Sequence, residues 1–223
     1  MSQSDSELIR TTAANARAAR DRIRSFVVET PLVHSKAFSD RVGANIYFKL
    51  ENLQFTGSFK LRGATNRLLT MDPELRSKGC VAASSGNHGA AVACAMQKLD
   101  TEGVIFVPEQ TSAVKVEKIR SFGGNVEFFG TDGLDTEEHA REFADNNGKL
   151  YLSPYNDAEV IAGQGSCGVE VVEQMPDIDA AFIAVGGGGL IAGVGSVLKT
   201  HNPDVRIYGC LLYTSPSPRD KTV

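Results

Sequence analysis

The chain has 223 residues, 42% of them hydrophobic and 22% charged, with a formal net charge of −4. That length and balance suit a soluble globular protein of one large or two small domains with enough core to fold unaided. The charge offers no electrostatic footprint for nucleic acid or an anionic membrane. Cys80, Cys94, Cys167 and Cys210 show neither C-x-x-C spacing nor disulfide-like density, so reduced thiols and a cytoplasmic setting are expected.

In chain order, Met1 to Glu7 is polar and acidic, unlike a secretory signal or transit peptide. Thr11 to Arg24 is rich in alanine and arginine and predicts a helix with a weak apolar face. Thr30-Pro31-Leu32 reads as extended, because the residue before proline avoids the helical region. From residue 46 onward short apolar runs alternate with helical patterns. Strands are predicted at 46–50, 80–84, 103–107, 125–129, 150–152, 180–185 and 206–210. Helices are predicted at 60–71, 89–99, 112–122, 134–146, 164–175 and 190–200. This βαβα rhythm implies an α/β fold, with mostly parallel strands in open sheets and helices on both faces. Ala180 to Leu198 is uncharged and nearly long enough to span a membrane, but its four glycines would break a lipid-facing helix. It reads as strand, loop and buried helix.

In such folds functional residues gather where a strand ends and the next helix begins. Three segments meet that condition. Gly186, Gly187, Gly188 and Gly189 lie between an apolar strand and an apolar helix. Backbone N–H groups without a Cβ in the way can converge there on a phosphate, helped by the helix dipole. The same residues fit a dinucleotide fingerprint, Gly187-x-Gly189-x-x-Ala192. The next strand, however, runs from Arg206 to Cys210 and Leu211 without the acid that would hold a ribose. A phosphate-bearing cofactor other than a dinucleotide is therefore favoured. The second segment, Ser84-Ser85-Gly86-Asn87-His88-Gly89, places hydroxyls, an amide and an imidazole at a helix start. That set suits a carboxylate or phosphate, though a helix cap alone would need only one Ser or Asn. The third, Thr56-Gly57-Ser58-Phe59-Lys60, puts a lysine at a helix N-terminus, where its positive charge is disfavoured and its amine becomes the better nucleophile. A nucleophilic lysine beside a phosphate cradle points to pyridoxal 5'-phosphate.

Ser58-Phe59-Lys60, Ser85-Gly86-Asn87-His88-Gly89 and the glycine tetrad resemble the three signatures of the fold-type II pyridoxal-phosphate enzymes. Within them the chain is similar to the threonine/serine dehydratase (ammonia-lyase) and serine racemase branch. Lys49-Leu50-Glu51-Asn52-Leu53-Gln54, Ser58 to Ala64 and Val160 to Gly165 match that branch's wording, and His88 stands where cysteine synthases usually carry Thr.

The resemblance implies a tryptophan synthase beta-like fold with a large domain of residues 1–78 and 157–210 and a smaller mobile one at 79–156. It implies that Lys60 holds the cofactor as a Schiff base and takes the Cα proton. Phe59 would lie against the ring, Asn87 would bond its 3′ oxygen, and Gly186 to Gly189 with Leu190 would hold the phosphate. Ser84, Ser85, Gly86, Asn87 and His88 would receive the substrate, with Ser85 standing where the racemases carry their second acid. The implied activity converts L-threonine or L-serine to a 2-oxo acid and ammonia through an aminoacrylate. Serine racemisation, a nucleotide-dependent oxidoreductase and a non-catalytic ligand-binding fragment are the alternatives. The expected partner is the small amino-acid substrate, with neither nucleic acid nor membrane, and the parent enzyme is expected to be a homo-oligomer. After Cys210 the family pattern stops, and residues 211–223 read as a non-native tail. The pyridine-nitrogen partner and any metal ligands would lie in a part these residues replace, so no metal residue is assigned and a poorly soluble or cofactor-free chain with little or no dehydratase activity is expected.

Overall fold

The computed structural model describes residues 3–211. Helix α1 (Gln3–Ile23) starts eight residues earlier than its alanine pattern indicated, and buries Ala13, Ala16, Ala19 and Ile23 along one stripe. Strand β1 (Leu32–His34) then pairs antiparallel with β2 (Tyr47–Lys49), with α2 (Lys36–Val42) between them. This pair departs from the expected parallel rule because a short helix, not a full crossover, joins its strands. A 3-10 turn over Glu51–Leu53 leads to α3 (Lys60–Leu69), and α4 (Pro73–Lys78) follows, capped by Asp72.

Four strands form the first parallel sheet: β3 (Cys80–Ala83), β4 (Gly103–Val107), β5 (Val126–Phe128) and β6 (Leu150–Tyr151), in the order β5-β4-β3-β6. Helices α5 (Asn87–Lys98), α6 (Ala113–Ser121) and α7 (Gly133–Asn146) connect them. Alternation sends Cys80, Ala82, Ile105 and Val107 into a core shared with Leu61, Leu68, Val92 and Ile119. Val81, Val104 and Phe106 go the other way, onto Ala140 and Ala144 of α7. Both faces of this sheet are covered, as parallel sheets require.

Helix α8 (Ala158–Gln174) is capped by the Asp157 side chain, which accepts from Glu159 and Val160 N–H. It starts six residues before the predicted helix, whose opening was hidden by Gly163 and Gly165. Strand β7 (Ala180–Val185) pairs in parallel with β8 (Arg206–Leu211) through α9 (Gly189–His201). Leu211 thus continues the strand opposite Val185 rather than opening a tail, while residues 212–223 lie outside the described ones. Helices α1, α8 and α9 meet where side chains vanish: a Cβ on Gly165 would fall 2.7 Å from Ala16 Cβ, and one on Gly193 2.6 Å from Gly165 N. The apolar stretch from Ala180 to Leu198 is strand, loop and helix as expected, and no described helix is long and apolar enough to cross a membrane. The four cysteines are free.

Candidate active site

Lys60 opens α3, and its helix start has Phe59 at the cap position with no side-chain cap bond. The amine donates to the Pro154 carbonyl at 2.6 Å and lies 5.5 Å from the Phe59 ring centroid. Burial lowers its pKa to about 8, so near neutral pH a useful fraction is the free amine. Sequence reasoning expected this depression from the helix dipole; the structure supplies it through desolvation. Lys49, the other lysine nearby in sequence, is bound to Glu170 at 2.6 Å, which leaves Lys60 as the candidate nucleophile.

The segment after β3 turns tightly. Ser84 Oγ accepts from the Gly86 N–H at 3.2 Å, and Gly89 packs so closely that a Cβ would sit 2.2 Å from the Ser84 carbonyl oxygen. Ser84 and Ser85 are half-buried, and Asn87 stands exposed on the first turn of α5. His88 is different. It is 5% exposed, and its Nε2 meets the Leu152 carbonyl oxygen at 2.9 Å. A carbonyl only accepts, so Nε2 carries the proton. Burial pushes the His88 pKa down to about 4, opposed by the Leu152 bond and assisted by the Lys60 charge. This imidazole holds the loop from beneath.

Gly188 caps α9 at φ +86, a left-handed conformation that a side chain would strain, and its carbonyl accepts from Ala192 N–H at 3.0 Å. A Cβ on Gly186 or Gly188 would meet nothing within 4 Å, so an open cradle of backbone lies at the start of a thirteen-residue helix. Leu190 turns its side chain toward the cluster of Cys167, Ile183, Val194 and Leu198, leaving its N–H as the part that can meet a phosphate.

A segment that sequence reasoning missed brings these three together. Leu152 holds His88, Pro154 holds Lys60, and the Tyr155 ring lies against Gly187, where a Cβ would come within 2.2 Å of it. The Tyr155 backbone also lies close to Gly189, 3.1 Å from a Cβ placed there. Residues 152 to 155 span at most about 11 Å of chain, so one short stretch holds the lysine, the side-chain loop and the glycine cradle together. The signal was absent from the sequence because Leu152 to Tyr155 carries no motif. Its role is to offer two carbonyls and one flat ring.

The residues fit a phosphorylated pyridine aldehyde. An amine of lowered pKa is present for the aldehyde, an open glycine cradle for the phosphate, and unpaired polar groups for the rest. Thr56 Oγ1 and Ser58 Oγ, just before Lys60, are buried without a hydrogen-bond partner among the described residues, and such orphans favour a bound partner.

Comparison with known proteins agrees. The family described as pyridoxal-phosphate dependent enzyme matches residues 23–220. The chain is 40% identical over 199 residues to an L-threonine ammonia-lyase of Geobacter sulfurreducens, covering 89% of this chain and 50% of that protein. It is 38% identical over 206 residues to the L-threonine ammonia-lyase of Thermotoga maritima, covering 92% and 51%. Among solved structures, the processed form of threonine deaminase isoform 2 from Solanum lycopersicum superposes with a TM-score of 0.89 at 37% identity, over 96% of this chain and 57% of that one. Maize serine racemase follows at a TM-score of 0.85 and 36% identity, over 88% and 60%. The chain spans about half the length of the curated relatives it matches.

Proposed function

The chain belongs to the pyridoxal-phosphate dependent enzymes, and from that premise we propose that it carries the reacting half of an ammonia-lyase acting on L-threonine and L-serine. The reading rests on one observation above the others, the convergence of Lys60, the Ser84–Gly89 loop and the glycine tetrad on Leu152–Tyr155. The threonine ammonia-lyase and threonine deaminase relatives support this choice of substrate. The nucleotide reading of the tetrad is set aside, because the matched family uses another cofactor and β8 ends in Cys210 and Leu211 without an acid.

Lys60 Nζ is the amine that would hold the cofactor's aldehyde carbon, with Phe59 beside the ring. Gly186 to Gly189 and the Leu190 N–H would hold its phosphate, and Asn87 would bond the ring oxygen. When bound, the conjugated ring supplies an electron sink for the pair left behind when the Cα–H bond breaks. Lys60 Nζ is the base for that proton, since its lowered pKa leaves it partly neutral. Ser84, Ser85 and the N–H groups at the start of α5 would receive the substrate carboxylate. His88 keeps them in place through Leu152. The overall reaction turns L-threonine into 2-oxobutanoate and ammonia. A smaller domain at 79–156, carrying the four-stranded sheet, would close on the rest and exclude water.

The test joins this chain to the remaining C-terminal half of a threonine ammonia-lyase relative and measures 2-oxobutanoate release from L-threonine. Turnover that falls by at least about a thousandfold in Lys60→Ala supports the reading, given the usual cost of losing a reacting group. Turnover that survives Lys60→Ala contradicts it.

A further inference from the structure

Three stretches have no part in the chemistry described so far: Lys49 to Gln54, the Arg62-Gly63-Ala64 that follows Lys60, and Val160 to Gly165. The structure brings all three to one buried place behind the catalytic lysine. Arg62, 0% exposed, forks in two directions. Its Nε and Nη2 each reach a Glu51 carboxylate oxygen at 2.8 Å. Nη1 and Nη2 reach the two Glu170 oxygens at 2.6 and 2.8 Å, and Nη1 also meets Ser166 Oγ at 3.2 Å. Lys49 Nζ sits on Glu170 at 2.6 Å, and Thr30 Oγ1 donates to Glu51. Two cations and two carboxylates thus close without net charge. Burial by itself would favour loss of the Arg62 proton, but the bonds to Glu51 and Glu170 outweigh it and raise the pKa. The Cys167 thiol beside them is pushed up to about 12, chiefly by burial.

The backbone is fixed at the same place. Gln164 Oε1 accepts from the Gly63 N–H at 3.3 Å, within the first turn of α3. A Cβ on Gly163 would fall 2.6 Å from Gly63 Cα, so α3 and α8 touch backbone to backbone one turn from Lys60. A buried ion cluster is a poor source of net stability, because desolvation offsets its attraction and apolar residues often do as well. What it supplies, with bidentate forks, is direction.

We propose that Arg62 is a positioning residue for Lys60: its fork on Glu51 and Glu170 pins the first turn of α3 so that Lys60 Nζ stays against the Pro154 carbonyl and out of water. This rests on the reading of Lys60 as the reacting amine. A small displacement there would matter, since about 1 Å of misplacement can cost a hundredfold in rate.

The test needs no cofactor. Competitive acylation of the full chain with acetic anhydride across a pH series, read by peptide mass, titrates each lysine. Exposed Lys118 serves as the internal reference. Wild type should show a Lys60 midpoint near 8. The neighbouring His88 adds no step of its own above its pKa of about 4. In Arg62→Gln and Glu170→Gln the Lys60 midpoint should rise by about one pH unit or more as the amine reaches water. Arg62→Lys, which keeps the charge but loses the fork, should recover part of the shift. The Lys118 profile should not move. A folded Arg62→Gln or Glu170→Gln with the wild-type Lys60 midpoint overturns the proposal. So does failure of all three variants to fold, because the cluster would then be general glue. Borohydride reduction with pyridoxal phosphate, run on wild type alone, separates the two readings: absence of pyridoxyl from Lys60 would sink the cofactor assignment and leave the acylation result standing.

Discussion

Two strand-to-helix junctions build the site, and they stand on unequal ground. The β3–α5 junction caps a four-stranded sheet buried on both faces, with Ile105 and Val81 at 0% exposure. The β7–α9 junction caps two strands whose one face packs through Ile183 against Val194 and Leu198 of α9, while Phe182 and Tyr208 stack on the other at 4.8 Å with Phe182 70% exposed. The first junction presents side chains, Ser84, Ser85 and Asn87, whose aim depends on everything beneath them. The second presents backbone N–H groups, whose aim is set locally by Gly188 and the helix start. Among the described residues, the junction that presents side chains stands on a sheet covered on both faces, and the junction that presents backbone stands on a strand pair covered on one.

The contrast is broken most sharply by a pair of strand substitutions. Ile105→Ala in the central strand should lower stability by about 2–5 kcal/mol. Phe182→Ser on the open face should stay within about 0.5 kcal/mol. Urea midpoints measure both, and equal losses would mean the two sheets are equally packed. Next in size are the glycines. Gly89→Ala forces a Cβ against the Ser84 carbonyl oxygen and should cost about 1–3 kcal/mol. Gly186→Ala meets open space and should leave the urea midpoint within about 0.5 kcal/mol. Its signature is retention of pyridoxal phosphate on dialysis, expected to fall about tenfold as the methyl enters the cradle. Unchanged retention would place the phosphate elsewhere.

The smallest effect is a pH dependence confined to the first junction. His88 is held neutral, with its pKa lowered from 6.5 to about 4, so the unfolded chain binds the extra proton first. Stability from this group is therefore full above pH 6.5 and is lost as pH falls toward 4. The loss should be roughly 1 kcal/mol at pH 6. His88→Gln should flatten that part of the stability curve, and an unchanged slope would show that the imidazole is not buried neutral.

Much of this was legible in the sequence, for identifiable reasons. Strands 103–107 and 180–185 were read to the residue, because long apolar runs between turn signals leave little freedom. Helices α2 and α4 were missed, since seven and six residues are too short to show a period. Strand β2 lies within the strand read at 46–50, but its antiparallel pairing with β1 was missed, because the three residues of β1 carry almost no pattern. Lys60, Asn87 and the tetrad were visible as motifs. Pro154 and Tyr155 were not, because they act through a carbonyl and a ring face that any sequence could supply. The Arg62 cluster joins residues 108 positions apart, a pairing that no local reading finds.

The central claim is that α3 delivers a free Lys60 amine to the space bounded by the glycine cradle. Its most direct test incubates the purified chain with pyridoxal phosphate, reduces with borohydride and maps the labelled peptide. The account predicts pyridoxyl on Lys60, with the visible absorbance bleached on reduction and labelling that falls off as pH drops below about 8 and the neutral fraction of the amine shrinks. Label on Lys49, or label spread over surface lysines with Lys60 unmodified, would contradict it.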